Sequence, residues 1–275
     1  MSITKHMPLK LVALCVALLA SVALLAGCES DEVKSAKENL NTEIERVESQ
    51  MADLQSEIET AEALAQTEDA PLDETVIPSL ESAISQAKTI EFTAPGTPSG
   101  LDEINAEIDN LKAIDYTADI QTLKDAEQVV NDSIAQMKQV TNPSEAFVIE
   151  RLQGIEGIGD ISAVTEDNDP NGQLGKSGGY TATVYFTSPL VDQSDVIGST
   201  VIEKGTEGGG AIEVYANVDD ANKRKDYLSA FDGGILSSGS HEVVGTVLVR
   251  TSDKLTASQQ KELEAAIIEA LTRLS

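Results

Sequence analysis

The chain has 275 residues, 47 acidic against 19 basic, for a formal net charge of −28 at pH 7. Such an excess repels polyanions, and the densest basic cluster is only Lys223-Arg224-Lys225, so nucleic acid is not expected as a partner. Two cysteines, two histidines, no tryptophan and 3% aromatic residues leave no zinc cluster and argue against a platform for stacking sugars.

The first ten residues carry Lys5 and Lys10 and no acid. LVALCVALLASVALLAG then runs almost unbroken to Cys28. A basic head, an apolar centre and small residues before a cut describe a secretory signal over 1–27. Leu25-Ala26-Gly27-Cys28 resembles the bacterial lipobox. That resemblance implies cleavage before Cys28 and a diacylglyceryl group on its thiol. Buried CH₂ groups contribute ~0.8 kcal/mol each, so two acyl chains hold a protein stably at a membrane. The alternative is an uncleaved anchor, because the run approaches the ~18 residues that a span needs. Cleavage removes Cys15 and His6, leaving no free thiol and only His241. The thiol route to catalysis is thereby closed. A Ser-His-Asp triad would have to use His241, in SSGSHEVVG, where no nucleophile-elbow pattern occurs.

Residues 28–141 are expected to be a helical bundle or coiled-coil stalk. Leu40, Ile44, Val47, Met51, Leu54, Ile58, Ala61 and Ala65 alternate steps of four and three, which places them on one helix stripe. Pro71 and Pro78 interrupt the pattern, and a second stripe follows at Ile77, Leu80, Ile84 and Ala87. TAPGTPSG is a break. A third stripe uses Leu101, Ile104, Ile108 and Leu111, and a fourth uses Ile120, Leu123, Val130, Ile134 and Met137. Short breaks favour antiparallel packing, with the first helix long enough to extend as a stalk. The stripes serve as spacer and scaffold, or one of them receives a partner helix.

Residues 142–275 predict an α+β domain. Asn142, Pro143 and Glu145 read as N-cap, N1 and N3 of a helix. GDISAVT, YTATVYFTS, AIEVYAN and EVVGTVLVRTS are rich in Val, Ile, Thr and Tyr and bounded by turn residues, as strands are. DDANKRKDYLSAF reads as a helix between the third and fourth, and a last helix begins at Thr256, with Gln259 completing a capping box. The order suggests an antiparallel sheet of about four strands with helices packed on one face. In DDANKRKDYLSAF the three adjacent basic side chains point in different directions, which reads as a solvated face.

The loop EDNDPNGQLGKSGGY, 166–180, carries the most distinctive polar pattern. It fails as a phosphate loop, because Pro170 stands where the leading glycine belongs and a strand follows where a helix should. Asp167-Asn168-Asp169-Pro170-Asn171-Gly172 matches the first half of a calcium loop, with Asp167, Asp169 and Asn171 as candidate oxygen ligands. Position twelve, which should be a bidentate Glu, is Gly178. The other reading is ordinary turn chemistry, for which Asp, Asn, Pro and Gly are the usual residues. Apart from possible calcium, no cofactor is expected.

AVTEDNDPNGQLGKSGGYTATVYF, VIEKGTEGGGAIEVY, FDGGILSSGSH and VVGTVLVRTSDKLTASQQKELE resemble a domain of predicted surface lipoproteins of Gram-positive bacteria, some labelled extracellular matrix-binding-like. The resemblance covers about half the chain and brings no catalytic residue with it. It implies a lipid-anchored protein on the extracytoplasmic face of the cell membrane. The expected role is non-enzymatic: a binding or scaffold module, held by Cys28, with an extracellular or cell-surface protein as partner. Two alternatives stand beside it: a sensor or accessory subunit pairing with another membrane protein through its helices, and a calcium-dependent module. An enzyme would have to work with carboxylates or a Ser/Lys pair.

Overall fold

A computed structural model describes residues 30–233 and 239–274. Leu25, Ala26, Gly27 and Cys28 therefore lie outside the described residues. Among those described, no helix is long and apolar enough to cross a membrane.

The chain falls into two compact units, each discontinuous in sequence. One comprises residues up to Glu48 and Thr93–Ile114, the other Ser49–Phe92 and Asp115–Ser275. Helix α1 (Asp31–Ala65) supplies residues to both. In the smaller unit its first half is joined by α3 (Leu101–Lys112), and Leu40, Val47, Ile104 and Leu111 are buried. Arg46 caps the end of α3. Its guanidinium donates to the Leu111 carbonyl at 2.6 Å and the Ile114 carbonyl at 3.2 Å, adding to the 3.0 Å bond that Leu111 O accepts from the Ile114 N–H.

In the larger unit the second half of α1 shares a core with α2 (Val76–Ala87) and α4 (Thr117–Gln139). Leu54, Ile58, Ala61, Leu80, Ile84, Leu123 and Val130 form it, so all four expected stripes are buried or half-buried. With 12 residues each, α2 and α3 offer about three turns, too few to cover a 35-residue stripe alone, and that stripe is divided between them.

The same unit contains a five-stranded antiparallel sheet: β1 (Ile161–Ala163), β2 (Tyr180–Thr187), β3 (Gly209–Tyr215), β4 (His241–Val244) and β5 (Val247–Thr251), in the order β1-β2-β3-β5-β4. The α+β class and the helical N-terminal region agree with expectation. Three details differ. EVVGTVLVRTS is a hairpin rather than one strand, because Gly245 adopts φ 57° and turns the chain between Val244 and Val247. The hairpin tip docks on the end of α4, where the Thr246 N–H donates to the Val140 carbonyl at 3.0 Å. Second, the N-cap of α5 (Glu145–Leu152) is Ser144, whose hydroxyl accepts from the Phe147 N–H. Asn142 instead takes φ 46° and accepts from the Thr181 hydroxyl.

Third, helices cover both faces. Helices α5 and α8 (Ala257–Thr272) pack on one, where Val148, Leu152, Val184, Phe186, Ile212, Val249, Ile267 and Leu271 form the main core. Thr256 and Gln259 make the expected capping box. The other face lies under the one-turn α6 (Val201–Lys204), whose Ile202 clusters with Tyr185 and Ala211, and under α7 (Val218–Ser229), whose Ala221 and Leu228 pack on Tyr180, Tyr215 and Leu248. Strands β2, β3 and β5 are buried on both sides. Their sequences consequently read as near-continuous apolar runs, and the alternation that would assign helices to faces is blurred.

Candidate functional site

The face under α7 is where the sheet departs from apolar packing. Strand periodicity puts Glu213 of β3 and Arg250 of β5 on this face, and Tyr215 beside them. Glu213 is fully buried. Its Oε1 accepts from Arg250 Nη1 at 2.7 Å, and its Oε2 from the Tyr215 hydroxyl at 2.7 Å and from Arg224 Nε of α7 at 3.2 Å. Burial pushes the Glu213 carboxyl up, but the two guanidiniums and the hydrogen bonds outweigh it, and its pKa falls below the ordinary glutamate value. Burial and the neighbouring carboxylate push the Tyr215 phenol up, so it remains a donor. The donor supply exceeds what Glu213 uses: Arg250 Nε and Thr183 Oγ1 are buried without a hydrogen-bond partner.

The loop before β2 forms one side of the site. Asp169 organises it: Oδ2 accepts from the Gln173 N–H at 2.6 Å and the Leu174 N–H at 2.8 Å, and Oδ1 from the Asn171 N–H at 3.0 Å and from the Tyr180 hydroxyl. Desolvation opposes its ionisation, yet the Tyr180 and backbone bonds prevail and hold its pKa below the ordinary aspartate value. Asn168 closes a further turn, accepting from the Thr165 N–H at 2.7 Å. Leu174, tucked inward by these bonds, packs against Tyr180 and Tyr185.

These bonds bear on the fit of a calcium ion. The Asp169 carboxylate is engaged by four donors of its own loop, and the Asn171 side chain donates toward the Tyr185 hydroxyl at 3.4 Å. Among the described residues no three His, Cys, Asp or Glu side chains gather as a metal cage. Asp169, the third position of the calcium-like spacing, is thus used to build the turn.

Between this loop and α7 lies an open cleft of about 230 Å³, walled by Asn171, Tyr180, Tyr215, Lys223, Arg224 and Tyr227. Tyr180 meets Tyr215 edge to face, with ring centroids 6.4 Å apart. Tyr227, more than half exposed, lies 5.4 Å from the Arg224 guanidinium and 5.2 Å from the Phe231 ring. The basic triplet of α7 does diverge: Lys223 goes to Asp220, Lys225 to Glu242 and Arg224 inward to Glu213. The solvated-face expectation fails for Arg224 alone, because its position is the one that faces the sheet.

His241 has a serine and an aspartate at hand, at 2.9 Å (Ser229 Oγ) and 3.5 Å (Asp232 Oδ2). Both meet the same ring nitrogen, Nε2, while Nδ1 faces the Gly239 carbonyl at 3.3 Å. Ser229 also donates to the Lys225 carbonyl one turn back. A triad needs the acid and the serine on opposite ring nitrogens, so this cluster ties the end of α7 to β4 instead.

Sequence reasoning missed Glu213, Tyr215 and Arg250. The available signal was one acid inside GGAIEVY and one arginine inside VLVRT, each alone in an otherwise apolar strand. Comparison with known proteins yields no family-model match, no similar curated protein and no similar solved structure.

Proposed function

We propose that this protein is a lipid-anchored, extracytoplasmic binding module without catalytic activity, and that the cleft between the 166–180 loop and α7 is its recognition site. The observation that carries the reading is the cleft's construction. Its rear wall is a buried, hydrogen-bonded ion cluster that fixes Tyr215 and Arg224, and its front carries an exposed tyrosine. Rigid aromatic and arginine side chains on a fixed scaffold are what recognition surfaces favour. The lipobox resemblance at Leu25 to Cys28 supports the anchor, and the acidic body supports a soluble domain that stands off from an anionic membrane.

Native mass spectrometry of the protein released from its own membrane in mild detergent tests the cleft. A bound mass present in the wild type and lost in Tyr227→Ala is expected; equal retention by both proteins, or none in the wild type, refutes the site. Incorporation of labelled palmitate, abolished in Cys28→Ala, checks the anchor.

A further inference from the structure

We infer that the cleft takes its ligand by an oxyanion, a carboxylate or phosphate group carried on a small body, held on the outward edge of Arg224. This rests on the reading of the cleft as the recognition site. Arg224 commits only Nε to Glu213, at 3.2 Å, and its side chain is 25% exposed. Its Nη atoms make no hydrogen bond to the described residues, and it forms part of the cleft wall. Glu213, a single carboxylate, faces two guanidiniums, those of Arg224 and Arg250. One positive charge is therefore left over in a largely buried setting, where unpaired charge is costly.

The neighbouring acids do not absorb that charge. Asp220 is held by Lys223 at 2.9 Å and by Asn217 at 2.9 Å, Glu242 by Lys225 at 2.8 Å, and Asp169 by the donors of its loop. The buried, unpartnered Arg250 Nε shows the same surplus of donors within the cluster. The Arg224 guanidinium carbon lies over the Tyr227 ring, 5.4 Å from its centroid, which helps to hold the group in place, and only its Nε is committed to Glu213. A guanidinium edge is the geometry that grips carboxylate or phosphate with two parallel bonds. Lys223 Nζ, on the same wall, is paired with Asp220, which also lines the cleft, so the surplus charge there is that of Arg224. The acidity of the whole chain selects against polyanions, so the matching ligand bears one oxyanion on a small body.

Thermal melts of the full detergent-solubilised chain test this, with sodium phosphate, sodium acetate and sodium chloride compared at equal ionic strength. At tenfold excess over its dissociation constant, the preferred oxyanion raises the melting temperature by roughly 3 °C over chloride. Phosphate against acetate identifies which oxyanion it is. Arg224→Lys, which keeps the charge but loses the fork, binds about tenfold more weakly. Arg224→Gln, which removes the guanidinium edge and leaves Glu213 bonded to Arg250 and Tyr215 at 2.7 Å each, shows no oxyanion-dependent shift. Equal responses to all three salts, or an undiminished shift in Arg224→Gln, overturn the proposal. If the wild type still retains a cleft-dependent mass while ignoring both oxyanions, the recognition site survives and the oxyanion is refuted.

Discussion

The two faces of the sheet are built on different physics. Beneath α5 and α8 the side chains are aliphatic or aromatic, and burial at about 25 cal/mol per Å² is enough to hold them. Beneath α7 the same strands bury Glu213 and Arg250, with Thr183 Oγ1 left unpaired. A buried ion pair contributes little net stability over apolar residues of the same volume, whereas losing one partner is severe. The apolar face holds the domain together; the ionic face orients Tyr215 and Arg224 at the cleft. On the proposed reading of the cleft, stability and recognition divide between the two sides of one sheet.

The sharpest way to break this comparison is Glu213→Ala, which leaves two buried or half-buried guanidiniums without their carboxylate. It should cost about 3–5 kcal/mol in urea denaturation followed by circular dichroism. On the apolar face Leu271→Ala should cost about 3 kcal/mol by the same measurement, through lost burial and a residual cavity. Replacing the whole cluster, Glu213→Leu with Arg224→Met and Arg250→Met, should leave stability within about 2 kcal/mol of wild type while abolishing ligand retention. A large loss in that triple variant would mean that the ionic face is itself a stabilising element. A smaller effect, about 1 kcal/mol, is expected for Thr256→Ala, which removes the N-cap of α8.

Acid should separate the faces further. The folded pKa values of Glu213 and Asp169 lie below their ordinary values. Each carboxylate therefore contributes stability that is fully present above its unfolded pKa and is lost as pH falls through the folded one. Glu127 behaves in the opposite way. Desolvation and the nearby Glu57 raise its pKa, and its Oε1 is buried without a partner. The destabilisation it causes is present at neutral pH and fades as pH drops through the raised value. Solvent screens this partly exposed carboxylate, so Glu127→Gln should raise the urea midpoint of the helical core only slightly at pH 7 and not at all in acid. A titration of urea midpoint against pH, wild type beside Glu127→Gln and Asp169→Asn, checks the signs at those two residues.

Much of the fold was legible in the residues alone. The heptad steps from Leu40 to Ala65 and the stripes at Leu80, Ile104 and Leu123 named the buried positions, because a helix repeats every 3.6 residues whatever it packs against. The capping box at Thr256 was equally local. Other features required tertiary context. Gly245 makes a turn in a run that reads as one strand, and α7 covers a face of strands that read as near-continuous apolar runs broken only by single polar residues. At the candidate site, Asp169 carries a calcium-like spacing, yet its bonding partners include Tyr180, eleven residues on. Glu213, Arg224 and Arg250 come from three elements, and only their packing makes them one cluster. Periodicity and caps are near-neighbour properties, which a sequence determines by itself. Which buried charges meet, and which guanidinium edge is left over, depends on contacts between distant segments, and the tertiary structure alone decides them.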